Sequence, residues 1–190
     1  MGRGRALSIG VAATGLLWSA GQARALTVSR TEERVFRVFN DAPDELAPLV
    51  WPIMQMGSLG AVFTAAEGTR RRSGNERAAT VAIVGTAVWG GVKLIKPLVG
   101  RGRPAAHLAA VHVRGQTQTG LGYPSGHAAV SLTLAMVTSH SAGALPVALT
   151  AAAVTSAARM YVGAHLPLDI VGGLCAGWMI GSAIAICVDR

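Results

Sequence analysis

The 190-residue chain is 51% hydrophobic and only 14% charged, with a mean hydropathy of +0.44. A soluble domain carries about 25% charged residues, so this composition excludes a disordered segment, a collagen-like repeat and a solvated coiled coil, and points to a chain that lives in a bilayer. Seventeen Lys and Arg against nine Asp and Glu give a net charge of +8, which fits nucleic acid, an anionic membrane or an anionic substrate. Lys93, Lys96, Arg101, Arg103, Arg114 and Arg159 fall at the edges of apolar stretches or between them, and no basic helix is interleaved with stacking aromatics, which sets nucleic acid aside.

In chain order, Ala6 to Ala23 is an uncharged run preceded by Arg3 and Arg5. It reads either as a first membrane helix or as a signal peptide ending near Ala23-Arg24-Ala25. Residues 1–25 therefore form an N-terminal segment, and residues 26–190 the main membrane domain. Thr27 to Glu45 mixes charged residues with Val35, Phe36, Val38 and Phe39, a pattern suited to an amphipathic helix on the membrane surface or to a solvated connecting helix. Ala47 to Ala66 is uncharged and long enough to span a bilayer. A loop with Arg70, Arg71, Arg72 and Arg77 follows, and a third apolar stretch runs from Ala78 to Val92, ending in Lys93, Lys96 and Pro97.

Residues 128–158 carry no formal charge, and His140, Ser141, Gly143 and Pro146 in their middle predict a tight hairpin between spans four and five. Ile170 to Val188 is the sixth span, with Pro167 at its first turn, where a missing N–H does no harm. The expected fold is all-α, an integral membrane six-helix bundle. Both termini, the arginine loop and the hairpin turn share one side, which the arginines mark as cytoplasmic. The polar clusters lie on the other. Cys175 and Cys187 are separated by about 18 Å along one helix and cannot pair within the chain.

Three clusters meet on the polar face. Lys96 and Arg103 are spaced to clamp one anion at a helix end, whereas Lys93, Arg101 and Arg114 read as basic residues reaching to the interface. Tyr123-Pro124-Ser125-Gly126-His127 precedes an apolar helix. Ser125 is a candidate N-cap, and the first-turn N–H groups beside Gly126 make an anion site by geometry, with His127 next to it. Arg159, His165 and Asp169 mark the junction of the last two spans. A carboxylate at the edge of a membrane helix needs a partner. His165, four positions earlier, supplies one, and a carboxylate on one ring nitrogen leaves the other as a nucleophile.

Together these residues resemble the three signature motifs of the type 2 phosphatidic acid phosphatase family. Lys96, Arg103 and Pro104 match the first, Pro124-Ser125-Gly126-His127 the second, and Arg159, His165 and Asp169 the third. The layout matches over roughly residues 47 to 188, and Ala158 departs from the serine common before the third-motif arginine. The resemblance implies a phosphatase acting on a membrane lipid or prenyl-linked phosphate, in a bacterial plasma membrane with the active site on the extracytoplasmic side. It implies that His165 attacks phosphorus and that Asp169 orients it, with His127 protonating the leaving oxygen and later activating water. Lys96, Arg103, Ser125, Gly126 and Arg159 are implied to hold the phosphate oxygens.

No metal or cofactor is expected, because only Asp169 among the nine acids lies in the clusters, and no obligatory protein partner is evident. Two other readings stand beside this one: a vanadate-dependent haloperoxidase of the same superfamily, and a non-catalytic anion-binding or scaffold membrane protein. Trp18, Trp51, Trp89 and Trp178 read as packing or interface anchors, Met54 and Met56 as core filling, and His107, His112 and His140 as loop or interface residues.

Overall fold

The computed structural model describes residues 2–139 and 144–188. Among them are eight α-helices, three short 3-10 turns and no strand: α1 (Gly2–Arg24), α2 (Arg30–Asn40), α3 (Ala47–Met54), α4 (Leu59–Ser73), α5 (Asn75–Val99), α6 (Gly126–Thr138), α7 (Ala144–Tyr161) and α8 (Pro167–Val188). The expected all-helical membrane bundle is borne out. Its six columns are α1, the α3–α4 pair, α5, α6, α7 and α8, with α2 added at one end. By length and apolarity α5 and α8 can each cross a membrane alone, and α3 with α4 can do so as one bent unit. α6 is shorter, and α1 and α7 are diluted by Gly, Ala, Ser and Thr.

The span expected from Ala47 to Ala66 is not one straight helix. It bends by 70° between α3 and α4. Pro52 lies inside α3, and Ser58 is extended at φ −82° and ψ 167°, its side chain capping the Ala61 N–H of α4. Gly57 at the break backs directly onto the His127 backbone, so the interruption lets α3 and α4 pass around the start of α6. The predicted hairpin turn at His140, Ser141 and Gly143 lies outside the described residues, as does the side chain of Cys187. Cys175 on α8 carries a free thiol.

α2 forms where an amphipathic helix is expected. Ser29 caps it by accepting the Glu32 N–H at 3.1 Å, and its inward stripe is Glu32, Phe36 and Asn40, one residue per turn. Asn40 pins the helix down by donating to the Tyr161 carbonyl at 3.1 Å and the His112 carbonyl at 2.9 Å. Arg114 adds contacts to the carbonyls of Asn40, Ala42 and Tyr161 and lies over the Tyr161 ring. Arg114 is thus a structural clamp rather than an interface anchor.

α6 and α8 meet along a stripe of glycines, Gly173, Gly177 and Gly181, each facing α6. Apolar lipid gives no hydrophobic push between helices, so close backbone approach is what holds such a pair. A Cβ at Gly177 would stand 2.5 Å from the Ala129 carbonyl oxygen and 3.1 Å from Leu132 Cβ. Gly177→Ala therefore forces the two helices apart and lowers stability by about 1–3 kcal/mol. Thermal unfolding in detergent checks this, and a midpoint equal to wild type contradicts it.

Candidate active site

The last turn of α5 runs through Pro97 and closes at Gly100, whose φ of 75° turns the chain back toward the bundle. That reversal sends Arg101 into the protein and sets Arg103 beside the α7–α8 turn. Lys96, on the same turn, donates to the carbonyls of Leu121, Gly122 and Pro124 at 2.9, 3.0 and 3.1 Å. An ammonium has three N–H groups, so Lys96 commits all of them to the loop that delivers Ser125 and His127.

α6 begins as the sequence predicts. Ser125 is the N-cap, fully buried, with its hydroxyl accepting the Ala128 N–H at 3.4 Å. Its own N–H donates to the Asp169 carbonyl at 2.8 Å, which ties the start of α6 to the start of α8. Gly126 and His127 occupy the first two helical positions, where N–H groups have no carbonyl within the helix to pair with.

His165 sits in the turn between α7 and α8 and is 2% exposed. Its Nδ1 lies 3.5 Å from Asp169 Oδ2, and its Nε2 lies 3.0 Å from Nη1 of Arg103, which also donates to the Ala164 carbonyl at 2.8 Å. The same Nη1 also lies 3.5 Å from Nδ1, so the guanidinium stands against the ring and not end-on to Nε2. It is the Asp169 carboxylate, an acceptor beside Nδ1, that favours the proton on Nδ1 and leaves the lone pair on Nε2. Burial, then the charges of Arg159, Arg103 and Lys96 and the nearby His127 ring, hold the imidazole well below its ordinary pKa. These cations around the buried ring favour its neutral form.

Asp169 is fully buried. Its Oδ2 accepts the Leu166 N–H at 2.9 Å, and its Oδ1 lies 3.5 Å from Arg101 Nη1. Gly122 covers it so closely that a Cβ there would come within 2.8 Å of Oδ2. Arg159, 4% exposed on α7, donates to the Met54 sulfur at 3.0 Å. The Nε atoms of Arg101, Arg103 and Arg159 are buried without a hydrogen-bond partner, as is Nε2 of His107. Orphaned guanidinium donors in a buried site call for an acceptor, and four cations against the carboxylates of Glu32 and Asp169 leave an excess of two positive charges for an anion to match.

The structure brings Lys96, Arg103, Ser125, Gly126, His127, Arg159, His165 and Asp169 together at one end of the bundle. Two of its residues were not anticipated. Arg101, expected to reach to the interface, is completely buried and holds Glu32 with both terminal nitrogens, at 2.9 and 2.7 Å. Glu32 comes from α2, outside the matched motifs. Its one sequence signal is its place on the Glu32–Phe36–Asn40 stripe, where an acid among core positions needs a buried partner. Lys93, expected to reach to the interface, lies over the Trp89 ring. Met54 serves the site through its sulfur, while Met56, expected as core filling, is 46% exposed. Among the described residues no three or more His, Cys, Asp or Glu side chains gather to hold a metal ion.

The sequence profile of the PAP2 superfamily matches residues 77–190. The crystal structure of LpxE from Aquifex aeolicus aligns with a TM-score of 0.69 at 23% identity, covering 81% of this chain and 93% of that one. The crystal structure of the first transmembrane PAP2 type phosphatidylglycerolphosphate phosphatase from Bacillus subtilis aligns with a TM-score of 0.71 at 17% identity, covering 94% of this chain and 95% of that one. At these identities the likeness is one of fold. No curated protein sequence matches significantly.

The arrangement at His165 has a direct spectroscopic consequence. An ordinary imidazole is half protonated near pH 6.5, whereas a depressed pKa keeps the His165 ring neutral as the pH falls through that value. In ¹⁵N-histidine NMR of the detergent-solubilised protein, the signals absent from His165→Ala should show a neutral Nδ1–H tautomer at pH 6.5. A titration midpoint at or above pH 6.5, or an Nε2–H tautomer, contradicts the assignment.

Proposed function

The chain belongs to the PAP2 superfamily, and on that premise we propose that it is a metal-independent phosphatase that removes a terminal phosphate from a membrane lipid or prenyl-linked phosphate. The observation that carries this reading is the placement of a buried His165, its Nδ1 beside Asp169, against Arg103 in a site where the guanidinium Nε atoms of Arg103 and Arg159 are buried without partners. A phosphate oxygen satisfies both donors. In doing so it draws Arg103 away from the imidazole and leaves the Nε2 lone pair open to phosphorus.

The chemistry follows from the positions. Nε2 attacks phosphorus, the P–O bond to the lipid breaks, and His127 gives its proton to the leaving oxygen. The Nδ1 proton stays on the ring and points to Asp169, which offsets the charge of the phosphorylated imidazole. Arg103, Arg159 and the amides at the start of α6 hold the equatorial oxygens, where charge spreads in a loose transition state. Protonated His127 stands beside three cations, and the phosphate's negative charge between them makes that arrangement favourable. His127, now neutral, takes a proton from water, whose oxygen attacks phosphorus. The P–N bond breaks, its electron pair returns to Nε2, and orthophosphate leaves. Lys96 contributes its charge and holds the loop.

The site lies at one end of an integral membrane bundle, which supports a headgroup arriving laterally from the bilayer, and the arginine-rich loop at the other end supports an active site on the extracytoplasmic side of a bacterial plasma membrane. Residues 1–25 are read as a retained helix. Tyr123, directly ahead of the second motif, is buried against α1 with its hydroxyl 3.0 Å from the Ser19 hydroxyl and donating to the Leu16 carbonyl at 3.0 Å. Cleavage would strip that support. Among lipid phosphates the prenyl-linked class is favoured, with phosphatidic acid and phosphatidylglycerol phosphate next.

Purified protein in detergent with EDTA should release orthophosphate from at least one of a prenyl phosphate, a prenyl diphosphate, a prenyl-linked sugar phosphate, phosphatidic acid or phosphatidylglycerol phosphate. His165→Ala should lower that rate by about 10³-fold or more. Silence across the panel favours a non-catalytic anion-binding protein, and activity that disappears with EDTA contradicts the metal-free scheme.

A further inference from the structure

We propose that Glu32 of α2, acting through Arg101, is a positioning residue that sets how Asp169 holds the nucleophilic histidine. Arg101 Nη1 and Nη2 meet Glu32 Oε1 and Oε2 at 2.9 and 2.7 Å, while the same Nη1 reaches Asp169 Oδ1 only at 3.5 Å. The guanidinium is therefore shared unequally between two carboxylates. Glu32 takes the close, two-point contact and Asp169 the distant one. Glu32 is itself fixed by the Leu168 N–H, which donates to Oε1 at 3.0 Å, one residue before Asp169.

This inequality matters because the two oxygens of Asp169 compete. Oδ1 faces a cation and Oδ2 faces the Nδ1 proton of His165. A tighter Arg101 contact draws electron density to Oδ1, pulls the carboxylate toward Arg101 and weakens Oδ2 as an acceptor. With Glu32 in place the cation is largely neutralised elsewhere, so Asp169 stays available to the ring. The other charged and titratable groups facing this cluster are Lys96 on α5, Arg103 after it, Tyr123 ahead of α6, His127 on α6 and Arg159 on α7. None of them makes a hydrogen bond or ion pair to Glu32 in the contacts described. A buried ion pair is weak evidence of stabilisation, because desolvating both charges offsets their attraction. A fully buried guanidinium that links an amphipathic surface helix to the catalytic carboxylate is better explained by placement.

Glu32→Gln tests this while keeping the side-chain shape and an acceptor for the Leu168 N–H. In ¹⁵N-histidine NMR the wild type should show His165 as one Nδ1–H tautomer, and Glu32→Gln should show a mixture with Nε2–H. kcat on the active lipid should fall about 10-fold, the scale seen when the partner that orients a reactive group is lost, with KM within about twofold of wild type. In an Arg101→Met background the further change Glu32→Gln should have no effect on the tautomer, since the charge it releases is gone.

The kinetic arm rests on the phosphatase reading and the tautomer arm does not. A tautomer shift in a protein whose wild type hydrolyses no lipid supports the relay and counts against the phosphatase. Wild-type tautomer and kcat in an active Glu32→Gln protein overturn the relay. So does a change confined to KM, or a Glu32→Gln protein that fails to fold by size-exclusion chromatography and circular dichroism, either of which makes the pair merely structural.

Discussion

A fully buried carboxylate in a membrane bundle is stable only when its surroundings answer its charge, and at Asp169 each answer comes from a different part of the chain. The Leu166 N–H and the His165 ring meet one oxygen, and Arg101 meets the other. The backbone carbonyl of the same residue takes the Ser125 N–H, and Gly122 closes over the side chain. Through these contacts Asp169 joins the turn before α8, the loop after α5 and the cap of α6. His165, the start of α6 and the basic residues around them are held in register by one group. Leaving that group without partners would cost several kcal/mol.

The packing around Asp169 provides the rigidity such a site requires. Small residues on α8 bring it against the backbone of α6, so His127 on α6 and His165 in the turn leading into α8 are held at a separation that admits little play. Lys96 spends its donors on the loop ahead of Ser125, and Tyr123 anchors the same loop to α1. Among the described residues the buried side-chain nitrogens without a partner are the Nε atoms of Arg101, Arg103 and Arg159 and Nε2 of His107. Those of Arg103 and Arg159 are the ones that a bound anion beside His165 would meet.

Much of this was legible in the sequence because it is local. Ser125 ahead of an apolar run reads as a cap, Pro167 as a helix start, and His165 with Asp169 four residues later as a pair across that start; in the structure Ser125 caps α6, α8 begins at Pro167, and the pair stands at 3.5 Å. What was missed depends on contacts between distant segments. Arg101 differs from Lys93 only in what the turn at Gly100 does with it, and no pattern within its own segment shows Glu32, 69 positions away, waiting for it. The bend between α3 and α4 falls in an uncharged run, where hydropathy marks one span, and it is made by Pro52, the Ser58 cap and the close approach of Gly57 to the backbone of α6. The Ser125 N–H, read as an anion donor, is given to the Asp169 carbonyl, a long-range bond that a capping motif does not reveal.

The central claim is that the lone pair of His165 Nε2 receives the phosphoryl group. It is tested most directly by quenching a single turnover of ³²P-labelled lipid phosphate in strong base, where phosphohistidine survives, and mapping the label by peptide digestion. The account predicts label on the peptide containing His165, none in His165→Ala, and accumulation in His127→Asn, where the proton acceptor for water is lost. Label on any other residue, or turnover with no labelled protein under conditions that preserve phosphohistidine, would contradict it.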